Sequence, residues 1–165
     1  MANSSAGRTA KNKAKAPALT WHELARPTAQ KRARWERGTN RTRWVACGVS
    51  WDAVSIAPME TGLAALVAMR AGTRRGYPVL ADHLRDVLYV MVATGSGSFC
   101  ADVPGVRVLS EGHQLLMPST EFDGTAVADW VSSPSKQPPA LVAADRLAAH
   151  LEELARPRHE RAATS

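Results

Sequence analysis

The sequence is poor in the residues that build disulfide frameworks, metal centres and membrane spans. It has two cysteines, Cys47 and Cys100, which form neither a Cys-x-x-Cys motif nor a Cys/His ligand spacing. Both are therefore expected to be buried thiols in a reducing compartment. The longest apolar run, residues 87–93, has the length of a strand and is far shorter than a membrane span. Because no apolar signal segment is present either, we expect a cytoplasmic protein with no membrane partner.

Acidic residues are almost absent from the first 43 positions. This segment has eleven Lys and Arg residues against Glu23 and Glu36, a net charge of +9. Residues 44–165 have ten basic residues against thirteen acids, a net charge of −3. A basic segment attached to a mildly acidic body indicates a polyanionic partner for the segment, or docking of the segment onto its own body.

Turn residues and changes in composition divide the chain into six segments. They are a disordered basic tail (1–19), a basic helical arm (20–43), an α+β core (44–132), a Pro-rich linker (133–139), a C-terminal helix (140–156) and a second tail (157–165).

Local patterns predict the secondary structure within these segments. Thr20 and Glu23 have the spacing of a capping box, and Gly38 is expected to end the basic helix. Residues 44–49 and 53–56 are predicted to form one long or bulged strand, and residues 59–71 a one-sided helix. Short apolar runs separated by turns follow. This order predicts an α+β fold, a mostly antiparallel sheet with helices packed on one face, plus a disordered basic N-terminal arm.

Three blocks between Gly48 and Trp130 form a recognisable series. The first is Val49-Ser50-Trp51-Asp52-Ala53-Val54, the second runs from 82 to 90, and the third runs from Pro104-Gly105-Val106-Arg107 to Pro118-Ser119-Thr120. The series resembles the bifunctional DNA primase/polymerase (prim-pol) family of the archaeo-eukaryotic primase superfamily over about half of the chain. That family has an Asp-x-Asp motif, a His before an apolar-aromatic run, and Pro-Gly-Val-Asp-Val leading to Pro-Pro-Ser. The resemblance implies nucleotidyl transfer with divalent metal ions in complete members.

The sequence departs from the family pattern where the chemistry lies. Asp52 is the one acid left of the Asp-x-Asp motif, Val87 stands at the His position, and Arg107 stands at the third Asp position. We expect Arg107 to face Asp52 and to repel a metal ion. Since one carboxylate cannot hold two metal ions, the sequence indicates a degenerate site with a vestigial Asp52, no assigned catalytic residue and no cofactor.

Substitute ligands are the alternative for this site. Glu111, Asp82 or Asp86 would have to replace the missing acids, and magnesium would then be the cofactor. Each of the three is otherwise expected to be a solvated loop residue.

The basic segment is the strongest positive signal for a partner, because Lys and Arg neutralise phosphates and release counterions. The candidate nucleic-acid-binding residues are Lys11, Lys13, Lys15, Lys31, Arg32, Arg34, Trp35, Arg37, Arg41 and Arg43. Trp21 and Trp44 also lie within or beside this charge. Either these tryptophans stack on unpaired bases, or Trp21 and Trp44 are core anchors and the basic residues only solvate a tail.

These observations lead to three alternative hypotheses of function. The leading hypothesis is a non-catalytic prim-pol-like domain that binds nucleic acid, or a nucleic-acid-associated partner, through its basic arm. The second is a residual primase/polymerase-type nucleotidyltransferase in which Asp52 is helped by Glu111 or Asp86. The third is a regulatory module whose sheet edge or C-terminal helix docks on a protein partner.

Overall fold

The computed structural model describes residues 17–134 and 138–156. Its helices are α1 (Trp21–Ala25), α2 (Ala29–Arg37), α3 (Met59–Ala68) and α4 (Ala144–Ala155). Its strands are β1 (Thr42–Ala46), β2 (Asp52–Ile56), β3 (Val79–Asp82), β4 (Val87–Val92), β5 (Val106–Leu109), β6 (Gln114–Pro118) and β7 (Asp129–Ser132). Two short 3-10 helices span Thr73–Arg75 and Ser96–Cys100.

The strands form two antiparallel sheets. Five of them pair in the order β5-β2-β4-β3-β7, and β1 pairs with β6 in a separate two-stranded sheet. Helices and antiparallel sheets together confirm the predicted α+β fold. Of the predicted disordered tails, residues 1–16 and 157–165 lie outside the described part of the chain.

One face of the five-stranded sheet packs against α1, α3 and α4. The core between them, here the helix-side core, includes Val54, Val90, Leu66 and Leu147, each fully buried. Burial of such aliphatic side chains supplies the main stabilisation, about 1.5–3 kcal/mol for each one. Across it, Arg146 of α4 donates a 2.7 Å hydrogen bond to the carbonyl of Met69 at the end of α3, which fixes the two helices relative to each other.

The opposite face of this sheet is covered by the β1–β6 pair. A smaller core, here the strand-side core, lies between the two sheets and contains Cys47, Leu80, Met91, Leu115 and Trp130 among others. The five-stranded sheet is therefore covered on both faces, by helices on one and by strands on the other.

The predicted single strand over 44–56 is wrong, because the chain turns between β1 and β2 and the two strands join different sheets. Gly48 makes the turn possible: it has φ +82°, and its N–H donates to the carbonyl of Trp51 at 2.8 Å. A β-carbon at position 48 would overlap the backbone nitrogen of Glu111. Only glycine fits both the left-handed backbone and the close approach of the 111 backbone.

The helix boundaries agree closely with the local sequence signals. Thr20 and Glu23 form the predicted capping box at the start of α1, and Gly38 ends α2 with φ +68°. The helices predicted over 59–71 and 140–156 are confirmed as α3 and α4, each shorter than predicted. None of the described helices reaches the length and hydropathy needed to cross a lipid bilayer.

Candidate nucleic-acid interface and the Asp52 site

Asp52 begins β2 and is buried, with 1% of its surface exposed. Its Oδ2 accepts the N–H of Gly95 at 2.9 Å and that of Gly97 at 3.4 Å. A β-carbon at position 97 would lie 3.1 Å from this oxygen and 2.6 Å from Val108 Cγ1. The carboxylate therefore holds the glycine-containing turn after β4 in place, and the turn approaches so closely that only glycine fits at 97.

The sequence did not predict the environment of the second carboxylate oxygen of Asp52. Oδ1 is buried and has no hydrogen-bond partner among the residues described. The charge of Asp52 also acts on Cys47: burial first, and then this charge, raise the pKa of the Cys47 thiol to about 11. Cys47 is therefore a protonated, buried thiol at neutral pH and not a nucleophile.

The expectation that Arg107 faces Asp52 is wrong. Val106 and Val108 pack against the helix-side core, so Arg107 between them points to the other face of the sheet. Asp52 lies on the helix side, since it shares the space around Gly97 with Val108. The register partner of Arg107 on β2 is Ser55. The physical reason is strand alternation, which the sequence alone does not tie to a face.

The three substitute acids do not converge on Asp52. Asp82 is buried rather than solvated, and its Oδ1 accepts the N–H groups of Leu84 and Arg85 at 3.1 and 2.9 Å in the β3–β4 turn. Because Val79 and Ala81 pack in the helix-side core, Asp82 belongs to the strand side of the sheet, opposite Asp52.

The other two acids, Asp86 and Glu111, are exposed. Asp86 Oδ1 accepts the N–H of Met59 at 3.3 Å, at the start of α3. Glu111 lies in the β5–β6 turn, against Gly48. The side chains around Asp52 therefore do not fit a pair of Mg²⁺ ions, and no group of three or more His, Cys, Asp or Glu suited to a metal occurs in the described ranges.

The basic helix α2 is attached to the core by an ion-pair network that the sequence did not reveal. Lys31 Nζ lies 2.9 Å from Asp129 Oδ1 and donates to the carbonyl of Trp130 at 2.9 Å. His83 Nε2 lies 2.9 Å from Asp129 Oδ2. The Trp35 ring is tilted against that of His83, with 5.7 Å between centroids. Lys31 and Trp35, both predicted to bind nucleic acid, are thus occupied within the protein.

The other residues predicted to bind nucleic acid differ in exposure and in their hydrogen bonds within the protein. Arg34 is half-buried and donates to the carbonyl of Phe122 at 3.2 Å. The exposed group, here called the exposed arginines, comprises Arg32, Arg37, Arg41 and Arg43. Lys11, Lys13 and Lys15 lie outside the described residues.

Within the exposed arginines, Arg41 is tied to Asp123 through its backbone. Its backbone N–H donates to Asp123 Oδ1 at 3.2 Å. The pKa of Asp123 is lowered, first by the hydroxyl of Thr120 and then by this N–H, with a smaller effect from the Arg41 charge. In the described part of the chain, Arg32, Arg37 and Arg43 form no ion pair.

Trp21 and Trp44 were each expected either to stack on bases or to anchor the core, and they differ in burial. Trp21 is a core anchor, 2% exposed, whose Nε1–H donates to the carbonyl of Ala71 at 2.8 Å. Trp44 on β1 is 65% exposed. It directly follows Arg43, which borders a cleft of about 480 Å³ that is also lined by Trp51 and Trp130. Because neighbouring residues of a strand point to opposite faces, Arg43 faces this cleft, whereas Trp44 borders a different cavity together with Arg85 and Arg107.

Comparison of the chain with models of known protein families, with curated proteins and with solved structures found no match in any of the three. The function of the chain is accordingly inferred from its own side chains.

Proposed function

We propose that this chain is a nucleic-acid-binding domain that contacts single strands through the exposed arginines and Trp44, without nucleotidyl transfer. The proposal includes the prim-pol resemblance: the chain would be a prim-pol-like domain that has lost the metal-binding acids. The observation that carries the proposal is that Arg43 and Trp44, consecutive residues of β1 whose side chains point to opposite faces of the strand, are both exposed.

The charge of α2 and β1 supports a polyanionic partner. Arg32 and Arg37 lie on the exposed surface of α2, and Arg43 lies on β1. Exposed guanidinium groups without an internal partner lose little on meeting a phosphate, and they donate paired hydrogen bonds to its oxygens. Each phosphate that they neutralise also releases counterions.

Trp44 favours a single strand over a duplex. Unpaired bases have free faces that stack on an indole, an interaction of about 1–3 kcal/mol for each base. In a duplex those faces are covered by neighbouring base pairs. An exposed tryptophan that shares a cavity with Arg85 and Arg107 matches the combination of stacking surface and positive charge that binds single strands with little sequence preference.

The absence of nucleotidyl transfer from the proposal rests on where the acids lie. Asp52 and Asp82 are on opposite faces of the five-stranded sheet and accept backbone N–H groups. Two acids separated by a sheet cannot bridge one pair of metal ions, and paired ions are what this class of phosphoryl chemistry requires.

Fluorescence anisotropy of the full chain against labelled single- and double-stranded DNA and RNA tests the proposal. We expect binding in the micromolar range at low salt that weakens steeply as salt is added, with single strands preferred. Absence of salt-sensitive binding to all four would end the proposal. Retention of a protein after nuclease treatment of the purified chain would then favour the protein-interaction hypothesis.

Primer extension with magnesium or manganese tests the non-catalytic part. We expect no extension. Extension that disappears in Asp52→Ala would show that the chain is a nucleotidyltransferase, whereas extension that persists in Asp52→Ala comes from a contaminating polymerase.

A further inference from the structure

A second cavity, of about 400 Å³, opens on the strand side of the five-stranded sheet, away from Asp52. Its polar border comes from the strands and turns of that sheet: Arg85 from the β3–β4 turn, Tyr89 from β4 and Arg107 from β5. Trp44 and His113 border it from the β1–β6 side. The cavity has the size of a small-ligand site and combines cations with the flat aromatic side chains of Trp44 and Tyr89.

The side chains that line this cavity carry a net positive charge. In the part of the chain that the structure describes, the Arg107 guanidinium donates no hydrogen bond and forms no ion pair. Arg85 lies 3.6 Å from Asp82 Oδ2. Asp82 is the one acid in the lining, and its other oxygen already accepts two backbone N–H groups. Two guanidinium groups therefore face one engaged carboxylate.

Tyr89 adds an uncharged donor between these groups. Its phenol is half-buried. Burial first, and then the charge of Asp82, raise its pKa, while Arg85 and Arg107 lower it. The net shift is upward, so the phenol keeps its proton at neutral pH and can donate a hydrogen bond to an anion. No partner for this proton is present among the described residues.

Two guanidinium groups and a phenol match a phosphomonoester better than a phosphodiester. A phosphomonoester carries between −1.5 and −2 charges near pH 7 and has three acceptor oxygens. A phosphodiester within a strand has one charge. In a single strand, phosphomonoesters occur only at the ends, and the terminal base next to such a phosphate has a free face for Trp44.

We propose that this cavity binds the phosphorylated end of a nucleic-acid strand, with Arg107 and Arg85 on the phosphate and Trp44 on the terminal base, without a metal ion. The site rests on the proposed function, since it gives one end of the bound strand a fixed position. It adds a preference that the exposed arginines do not supply, because backbone contacts are the same along the whole strand.

The test compares three single strands of one sequence with an internal fluorophore, titrated with the full chain in the presence of EDTA. One strand has a 5′ phosphate, one a 3′ phosphate, and one has hydroxyls at both ends. We expect one phosphorylated strand to bind at least about fivefold more tightly than the hydroxyl strand, the effect of one good bidentate arginine contact.

Variants connect the preference to the cavity. Arg107→Gln and, separately, Arg85→Gln should remove the preference and leave the affinity for the hydroxyl strand unchanged. Arg75→Gln is the matched control and should retain the preference, because Arg75 is solvent-exposed in the 3-10 helix after α3. Inorganic phosphate and a nucleoside monophosphate serve as competitors: competition by the monophosphate alone shows that the base contributes, and competition by both shows that phosphate suffices.

The outcomes separate this site from the proposed function. Equal affinity of the wild-type chain for all three strands overturns the terminal-phosphate site and leaves the nucleic-acid function standing. A preference that survives both Arg107→Gln and Arg85→Gln also overturns it. Absence of binding to every strand overturns both proposals, and a preference that appears only when EDTA is left out contradicts the metal-free contact.

Discussion

Lys31 Nζ and Asp129 Oδ1 lie 2.9 Å apart and join α2 to the last strand of the five-stranded sheet. The helix has no buried residue of its own, so its position depends on such side-chain links. The carboxylate is almost fully buried and also meets His83 at 2.9 Å. The ion pair therefore positions the helix from which Arg32 and Arg37 project.

Removal of the Asp129 carboxylate should destabilise the fold strongly. Asp129→Ala leaves the ammonium of Lys31 without its counter-charge at a half-buried site, and we expect a loss of about 3 kcal/mol in the free energy of unfolding. Urea unfolding measures it. Arg32→Ala, an exposed change on α2, is the control and should stay within about 0.5 kcal/mol. A loss below about 1 kcal/mol for Asp129→Ala would show that the network does not hold α2.

Asp52 should matter for stability rather than for chemistry. Asp52→Ala removes the acceptor of the Gly95 and Gly97 N–H groups, and hydrogen bonds to a charged group contribute about 1.5–3 kcal/mol. We expect a loss of about 2–3 kcal/mol in urea unfolding and faster amide exchange at Gly95. The exposed Asp102→Ala is the control. Equal stability of the two variants would contradict the anchoring role.

Alanine substitutions at Gly48 and Gly112 distinguish the cost of backbone strain from the cost of steric overlap. Both have positive φ, +82° and +93°. A β-carbon at 48 would overlap the Glu111 backbone, whereas nothing lies within 4 Å of one at 112. Gly112→Ala should cost about 1–2 kcal/mol for the left-handed conformation alone. Gly48→Ala should cost clearly more, by thermal or urea unfolding. Similar losses would mean that the 111 backbone moves aside freely.

The thiols should be unreactive in the folded protein. Burial raises the pKa of Cys47 and that of Cys100 to about 11, with charges of Asp52 and Glu152 adding to the effect. Since the thiolate is the reactive form, only about one thiol in a thousand is ionised at pH 8. The rate of modification by a thiol reagent should rise with pH toward 11 and should follow global unfolding in urea. Rapid modification of one thiol at pH 8 without denaturant would contradict this burial.

Local signals in the sequence predicted local features well. The capping box of Thr20 and Glu23 and the end of α2 at Gly38 depend on residues within a few positions of one another, and both are confirmed. The α+β class followed from the order of apolar runs. Strand partners did not follow, because apolar periodicity does not say which strand lies alongside, so β1 and β2 were taken as one strand.

Features of the site that depend on distant contacts could not be predicted. Lys31 and Asp129 are 98 residues apart, and no pattern around Asp129 indicates an ion pair. The placement of Asp52 and Arg107 on opposite faces depends on the pleat and register of β2 and β5. The arrangement of Arg107 with Arg85 and Tyr89 became visible only with the sheet assembled.

The salt dependence of single-strand binding tests the central proposal most directly. The triple variant Arg32→Gln, Arg37→Gln, Arg43→Gln is compared with a control of equal charge change, Arg70→Gln, Arg74→Gln, Arg75→Gln, in the full chain. Each lost phosphate contact lowers the slope of log K against log salt by about 0.7 for a single strand. We predict that the first variant loses roughly 2 units of slope, whereas the control keeps the wild-type slope. Equal slopes in all three proteins would contradict binding through the exposed arginines.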